Sequence, residues 1–101
     1  MEDSTSKSLL HQVSKKLLHQ GGFWNTMEIF TPPTDCLSMK DFYIELRKIG
    51  SYYNSFYRVK DELIKFNIII LYEEDEMDMI KLSEKGKTMH KLIRKILEMI
   101  Q

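Results

Sequence analysis

The residues Ser51–Lys87 read SYYNSFYRVKDELIKFNIIILYEEDEMDMIKLSEKGK, and this stretch decides the fold. Its first part places apolar residues at helical spacing and predicts a helix over residues 52–66. A β-branched run, an acidic turn and a second apolar run follow, and they predict a two-stranded hairpin over residues 68–82. Ser83 is suited to cap a last helix over residues 83–100. The expected order in this part of the chain is therefore helix, hairpin, helix.

Two more helices are predicted upstream. An apolar stripe favours a first helix over residues 6–20 that ends at Gly21-Gly22. Ser38 is suited to cap a second helix over residues 38–49, and Gly50 provides the permissive backbone for the sharp turn after it. Helices joined as tightly as residues 38–49 and 52–66 must cross at an angle, with Ser51 or Asn54 as the cap of the later helix.

The connector over residues 23–38 has no clean period. Pro32-Pro33 forbids a continuous helix or a central strand there. We interpret it as an ordered connector that holds one helical turn or a short strand. Phe23, Trp24 and Phe30 are expected to pack in the core, and lining a small-molecule pocket is the alternative.

Length and charge limit the function. A chain of 101 residues with 43% hydrophobic content predicts one domain over residues 1–101. Lys and Arg total 15, as do Asp and Glu, so any affinity for nucleic acid must come from a local patch. No stretch approaches the roughly 20 apolar residues of a membrane span, and the polar start is unlike a signal peptide. We therefore expect no membrane association and a cytoplasmic location, which is the host cytoplasm for a viral protein.

Catalysis and metal binding have little support. His11, His19 and His90 lie in helical contexts without a nucleophile pattern, paired carboxylates or a Gly-rich phosphate loop, and we interpret them as surface or interface histidines. Cys36 is the only cysteine and is expected to be a partly buried thiol, with a disulfide between two copies as the alternative. The sequence predicts no enzyme, no cofactor and no metal site.

Two motifs resemble the winged helix-turn-helix superfamily, which includes MarR-, PadR- and ArsR-like regulators of prokaryotes, archaea and archaeal viruses. Ser55–Ile69 is similar to the recognition helix and its exit into the wing. Ile80–Lys87, with the sequence IKLSEKGK, is similar to the Y-x-L-T-E-K-G-K pattern that closes the wing and opens the last helix. The resemblance covers about residues 38–101 and implies an α+β fold with a three-helix core, a two-stranded β-hairpin wing and a C-terminal helix.

Three departures from the family pattern stand out. Asn67 replaces the usual Gly at the helix exit, which is tolerable because Asn also adopts the left-handed conformation. The wing tip over residues 73–78 carries five carboxylates in six residues, and phosphate would repel it. The connector before the second helix is longer and more aromatic than the family's usual link.

The resemblance implies that the start of the third helix enters the DNA major groove. The expected DNA contacts are Ser51, Tyr52, Tyr53, Asn54, Ser55, Tyr57, Arg58 and Lys60 on or beside that helix, with Lys40 and Lys48 on the second helix. Four of them have an alternative role: Tyr52 and Tyr53 can pack on the second helix, Asn54 can be only a cap, and Arg58 can pair with Asp61 or Glu62.

The last helix is the expected dimer interface. Its apolar stripe is wider than one domain needs and contains Met89, Leu92, Ile93, Ile96, Leu97 and Ile100. The alternative is that this helix packs only on its own domain together with the first helix. The sequence therefore predicts a homodimeric, sequence-specific regulator that binds double-stranded DNA. The competing interpretation is a winged-helix module that binds a protein partner through its acidic wing and does not bind DNA.

Overall fold

The computed structural model describes residues 17–101 as four helices and three strands. The helices and strands follow in the order α1 (Gly21–Ile29), β1 (Cys36–Ser38), α2 (Met39–Lys48), α3 (Tyr53–Lys65), β2 (Ile69–Glu74), β3 (Met77–Leu82) and α4 (Glu84–Ile100). None of these helices is long and apolar enough to cross a membrane.

The strands form one antiparallel sheet in the order β1-β3-β2. In the β2–β3 hairpin, Ile69 lies opposite Leu82 and Glu74 lies opposite Met77. β1 pairs with the other edge of β3, where Cys36 lies opposite Lys81. The hairpin is the wing of a winged helix, so the predicted α+β winged helix-turn-helix fold is confirmed.

The predicted helices at 38–49, 52–66 and 83–100 correspond to α2, α3 and α4, and the predicted wing at 68–82 corresponds to β2 and β3. Residues 6–16 of the predicted first helix lie outside the described range. The sequence predicted that the first helix ends at Gly21-Gly22. In the structure, Gly21 is the first residue of α1. The connector over residues 23–38 holds most of this nine-residue helix and all of β1, where the sequence predicted one helical turn or a short strand.

The core lies between the helices and the inner face of the sheet. Phe42 of α2 packs edge-on against Phe56 of α3, with ring centroids 4.8 Å apart, and stacks on Phe30 beyond α1. Leu63, Ile80 and Leu82 extend the same cluster toward the wing. Burial of these side chains is the main stabilising term, at roughly 1.5–3 kcal/mol for each large apolar group.

Each of the two helices of the helix-turn-helix unit, α2 and α3, is followed by a residue in the left-handed conformation. Gly50, at φ 78°, follows α2, and the amides of Gly50 and Ser51 donate to Arg47 and Leu46. Asn67, at φ 57°, follows α3 and makes the same pair of bonds with Ile64 and Leu63 through its own amide and that of Ile68. Both are Schellman motifs, and the expectation for Asn67 is confirmed.

Cys36 and His90 differ from expectation. Cys36 is exposed rather than partly buried, because β1 is an edge strand. The neighbouring Cys36 side chain raises the pKa of Tyr72 to about 12. His90 is only 6% exposed, so the interpretation as a surface or interface histidine is wrong for it. Its imidazole is held inside the domain by the Thr31 hydroxyl, 3.3 Å from Nε2.

Candidate nucleic-acid interface

Helix α1 holds the start of α3 in place. A Cβ on Gly22 would lie 2.2 Å from the carbonyl oxygen of Ser55, so the two backbones touch where only glycine fits. Next to this contact, Asn25 Nδ2 donates to Ser51 Oγ over 2.8 Å. The N-terminal half of α3 is therefore fixed from behind by a helix of which the sequence predicted at most one turn.

Ser51 was predicted to contact DNA, and its position in the structure makes that prediction wrong. Its side chain accepts the bond from Asn25 and the residue is 6% exposed, so its hydroxyl is used inside the domain rather than on the surface. The expected cap is also wrong, because the N-cap of α3 is Tyr52 and it makes no side-chain cap bond. Neither Ser51 nor Asn54 caps the helix, which leaves Asn54 exposed on the first turn.

The outer face of α3 is rich in tyrosine. Tyr52 is 74% exposed and Tyr53 is 54% exposed at the start of the helix. Tyr53 lies edge-on between Tyr43 of α2, at 5.7 Å, and Tyr57 one turn later, at 5.4 Å between ring centroids. Tyr53 therefore packs on α2 and is still exposed enough to contact a ligand. Burial, and then the neighbouring tyrosines, raise the pKa of Tyr43, so its hydroxyl stays protonated and able to donate.

The basic side chains flank this row. Arg58 is exposed and forms no ion pair with another residue of the 17–101 range, so the pairing with Asp61 or Glu62 considered above is absent there. Lys60 lies over the Tyr57 ring, with Nζ 4.9 Å from its centroid. Lys40 is exposed on α2, while Ser55 is half-buried where α1 contacts α3.

Among residues 17–101, Lys48 is the one predicted contact that forms an ion pair with a carboxylate. Its Nζ lies 2.9 Å from Glu45 Oε2, and this hydrogen bond raises the pKa of Lys48. The pair is exposed, and such pairs contribute little and are screened by salt. Lys48 therefore stays charged and can exchange Glu45 for a phosphate.

A groove of about 470 Å³ separates this face from the wing. Tyr43, Tyr57 and Lys60 line its helical side, and Leu71 and Asp78 line its wing side. Sequence reasoning found Tyr57 and Lys60 but missed Tyr43, whose spacing on α2 indicated only core packing. The five carboxylates of residues 73–78 are all exposed, and Asp78 is the one of them that lines this groove.

The predicted dimer residues fall into two groups. Met89 and Ile93 are partly buried against the domain's own core. The remaining four are exposed, and they are Leu92, Ile96, Leu97 and Ile100. Met99 is 84% exposed and extends this exposed apolar surface. It was missed, although it follows Leu92 and Ile96 at helical spacing.

The fold of this chain is similar to that of a solved structure. No family model matches this chain, and no curated protein sequence matches it. Among solved structures, the chain is similar to that of SSV1 F-93, with 18% sequence identity and a TM-score of 0.58. The match covers 75% of this chain and 86% of that chain. At this identity the similarity shows the fold, and the fold of this chain is the winged helix described above.

Proposed function

We propose that this protein is a sequence-specific regulator of transcription that binds double-stranded DNA as a homodimer. The observation that carries the proposal is the exposed face on the first half of α3, formed by Tyr53, Asn54, Tyr57 and Arg58. It stands on a helix-turn-helix whose second helix is held rigidly from behind by Gly22 and Asn25. A rigid helix with hydroxyl, amide and guanidinium groups at its exposed start suits a major groove about 12 Å wide.

The chemistry of this face favours DNA over a generic polar surface. Arg58 carries a planar fork that suits guanine or phosphate, and it is not paired within the described range. Tyrosine hydroxyls and the Asn54 amide can bond phosphates or base edges. Because few lysines lie here, we expect specific contacts to supply a larger part of the affinity than bulk electrostatic attraction.

The homodimer rests on α4. Leu92, Ile96, Leu97 and Ile100 present an exposed apolar surface in the second half of the helix, next to Met89 and Ile93, which pack on the core. Such a surface is costly to leave in water. A two-fold pair would place two copies of α3 on half-sites about one helical turn apart.

A fluorescence titration with a selected duplex tests the DNA proposal. Arg58→Ala should weaken binding by about 1–3 kcal/mol if Arg58 contacts a base, and would reduce the salt slope by about 1 if it contacts phosphate. Tyr53→Phe should weaken binding if the hydroxyl contacts DNA. Lys95→Ala, on the exposed part of α4, is the matched control and should leave affinity unchanged.

A protein-interaction module is the second candidate, and the acidic wing tip favours it. Five exposed carboxylates at the end of the hairpin would repel phosphate and attract a basic partner. Retention on a heparin or DNA column that disappears with salt supports DNA binding. Complete flow-through at low salt, with no effect of Arg58→Ala or Tyr53→Phe in the titration, supports the protein module instead.

A further inference from the structure

Three tyrosine rings form a continuous row across the helix-turn-helix. Tyr53 lies edge-on to Tyr43 of α2 and to Tyr57 of α3, with ring centroids 5.7 Å and 5.4 Å away. Tyr43 in turn packs on the buried Phe42, with ring centroids 6.0 Å apart. Because each ring is held by a neighbour, the row loses little side-chain freedom when it contacts a ligand.

The exposed part of this row is mainly ring carbon. Tyr53 is 54% exposed and Tyr57 is 52% exposed, and the ammonium group of Lys60 lies over only one face of the Tyr57 ring. Asn54 and Arg58 are exposed one turn apart, beside the two rings. The start of α3 therefore presents a row of rings and a row of polar groups side by side.

An A·T pair in the major groove offers a partner to both rows. Thymine carries a C5 methyl group that apolar side-chain surface can contact, and adenine presents N7 and N6 to the amide of an asparagine. A ring set against a G·C pair would instead cover polar edges without bonding to them, which costs free energy. The two rows together favour A·T pairs over G·C pairs.

We propose that α3 recognises A·T pairs, an inference that rests on the proposed DNA binding. Tyr53 and Tyr57 contact thymine methyl groups, and Asn54 binds an adenine beside them. The two ring centroids are 5.4 Å apart, whereas successive base pairs are about 3.4 Å apart. The two methyl groups therefore belong to neighbouring or next-but-one base pairs.

Replacement of thymine by uracil tests the tyrosine contacts, because it removes the C5 methyl group and keeps the base pair. In the duplex selected by the wild type, each thymidine is replaced in turn by deoxyuridine. Loss of one contacted methyl group should weaken binding about fourfold, which corresponds to about 0.8 kcal/mol for one buried carbon. Tyr53→Ala and Tyr57→Ala should each remove this discrimination at one position.

Two variants serve as controls for the tyrosine contacts. Tyr53→Phe keeps the ring and should keep the discrimination between thymine and uracil, whatever the hydroxyl contributes to affinity. Arg58→Ala should weaken binding to both duplexes equally and leave their ratio unchanged. Circular dichroism of each variant shows that it is folded.

Replacement of adenine by 7-deazaadenine tests the Asn54 contact, because it removes the N7 acceptor. The wild type should bind about fivefold more weakly when the contacted adenine is replaced, since one of the two bonds to the base is lost. Asn54→Ala should bind the two duplexes equally well.

The outcomes separate this inference from the proposed function. Sequence-specific binding that no uracil replacement weakens, or selected half-sites made of G·C pairs, would overturn the A·T assignment and leave DNA binding standing. Discrimination that survives both Tyr53→Ala and Tyr57→Ala would overturn it as well. A protein that binds no duplex would overturn both the assignment and the proposed function.

Discussion

Gly86 of α4 lies so close to Ile68 that a Cβ on the glycine would be 2.2 Å from the Ile68 carbonyl oxygen. The Ser83 hydroxyl donates to the carbonyls of Asn67 and Ile68 and accepts from the Gly86 amide. Lys85 Nζ donates to the Phe66 carbonyl over 2.8 Å. The Ser83–Gly86 segment therefore attaches the start of α4 to the residues that follow α3. These contacts explain why Ser83, Lys85 and Gly86 occupy their positions.

Gly86→Ala should destabilise the domain. The clash is with a backbone oxygen, which cannot move aside as a side chain can, and overpacking of this kind costs about 1–3 kcal/mol. Gly21→Ala is the control, because nothing lies within 4 Å of a Cβ there and alanine favours the helix by up to about 1 kcal/mol. Urea unfolding compares the two. Equal stability of Gly86→Ala and the wild type would contradict the close approach.

The wing and the two helices before it could be predicted because local signals agree there. Ser38 Oγ accepts from the Asp41 amide and Ser83 Oγ accepts from the Gly86 amide, as capping residues do. The left-handed Gly50 and Asn67 mark the two helix ends. At these points propensity, capping and periodicity all indicate the same structure.

The sequence predicted one helical turn or a short strand in the connector, but the full length of helix α1 and its presence together with strand β1 could not be predicted because they depend on tertiary contacts. Gly21 and Gly22 are poor helix formers, yet Gly22 is needed for the contact with Ser55. The three-residue β1 exists because it pairs with β3. Burial of Ser51 likewise follows from Asn25, a residue of α1. The exposed residues of the site were therefore predictable from the sequence, whereas the residues of α1 that support them were not.

Replacing Asp75-Glu76 by Asn-Gly should stabilise the hairpin and strengthen DNA binding. Asp75 has φ 52° and Glu76 has φ 64°, and this conformation favours Asn-Gly in two-residue turns. Relief of the left-handed strain, less the added freedom of the unfolded chain, amounts to about 0.5–1 kcal/mol. The same change removes two negative charges from the tip.

Thermal unfolding and a DNA titration at two salt concentrations measure both effects. Glu98→Gln removes a charge from α4 and should change DNA affinity less. If the Asn-Gly variant binds DNA with unaltered affinity, the wing tip lies too far from the DNA phosphates to be repelled by them, and this prediction is wrong.

Stability should fall as the solution is acidified below about pH 6.5, the ordinary pKa of histidine. Burial lowers the pKa of His90 in the folded state, so the unfolded chain takes up the proton first and acid favours unfolding. His90→Asn should reduce this dependence, whereas His19→Asn, at an exposed position, should preserve it. Urea midpoints measured across this range provide the check. Identical pH profiles for the His90→Asn and His19→Asn variants would refute the prediction.

Ile96→Asp should dissociate the proposed dimer and leave the domain folded. Ile96 is 57% exposed in one chain, so the substitution adds no buried charge to the monomer. At a dimer centre such a change should raise the dissociation constant at least roughly tenfold. Ile64→Asp, at an exposed position on α3, is the matched control. Analytical ultracentrifugation distinguishes the two, and a wild type that is already monomeric at micromolar concentration would rule the dimer out.

Selection of bound duplexes from a random-sequence library tests DNA recognition by α3 most directly. We predict enrichment of an inverted repeat whose half-sites are about 10 base pairs apart, centre to centre. The same selection with Arg58→Ala should lose preference at defined positions in each half-site, while the Lys95→Ala control should return the wild-type motif. The absence of any enriched sequence would contradict the proposed role of α3. A motif that neither Arg58→Ala nor Tyr53→Phe changes would contradict it as well.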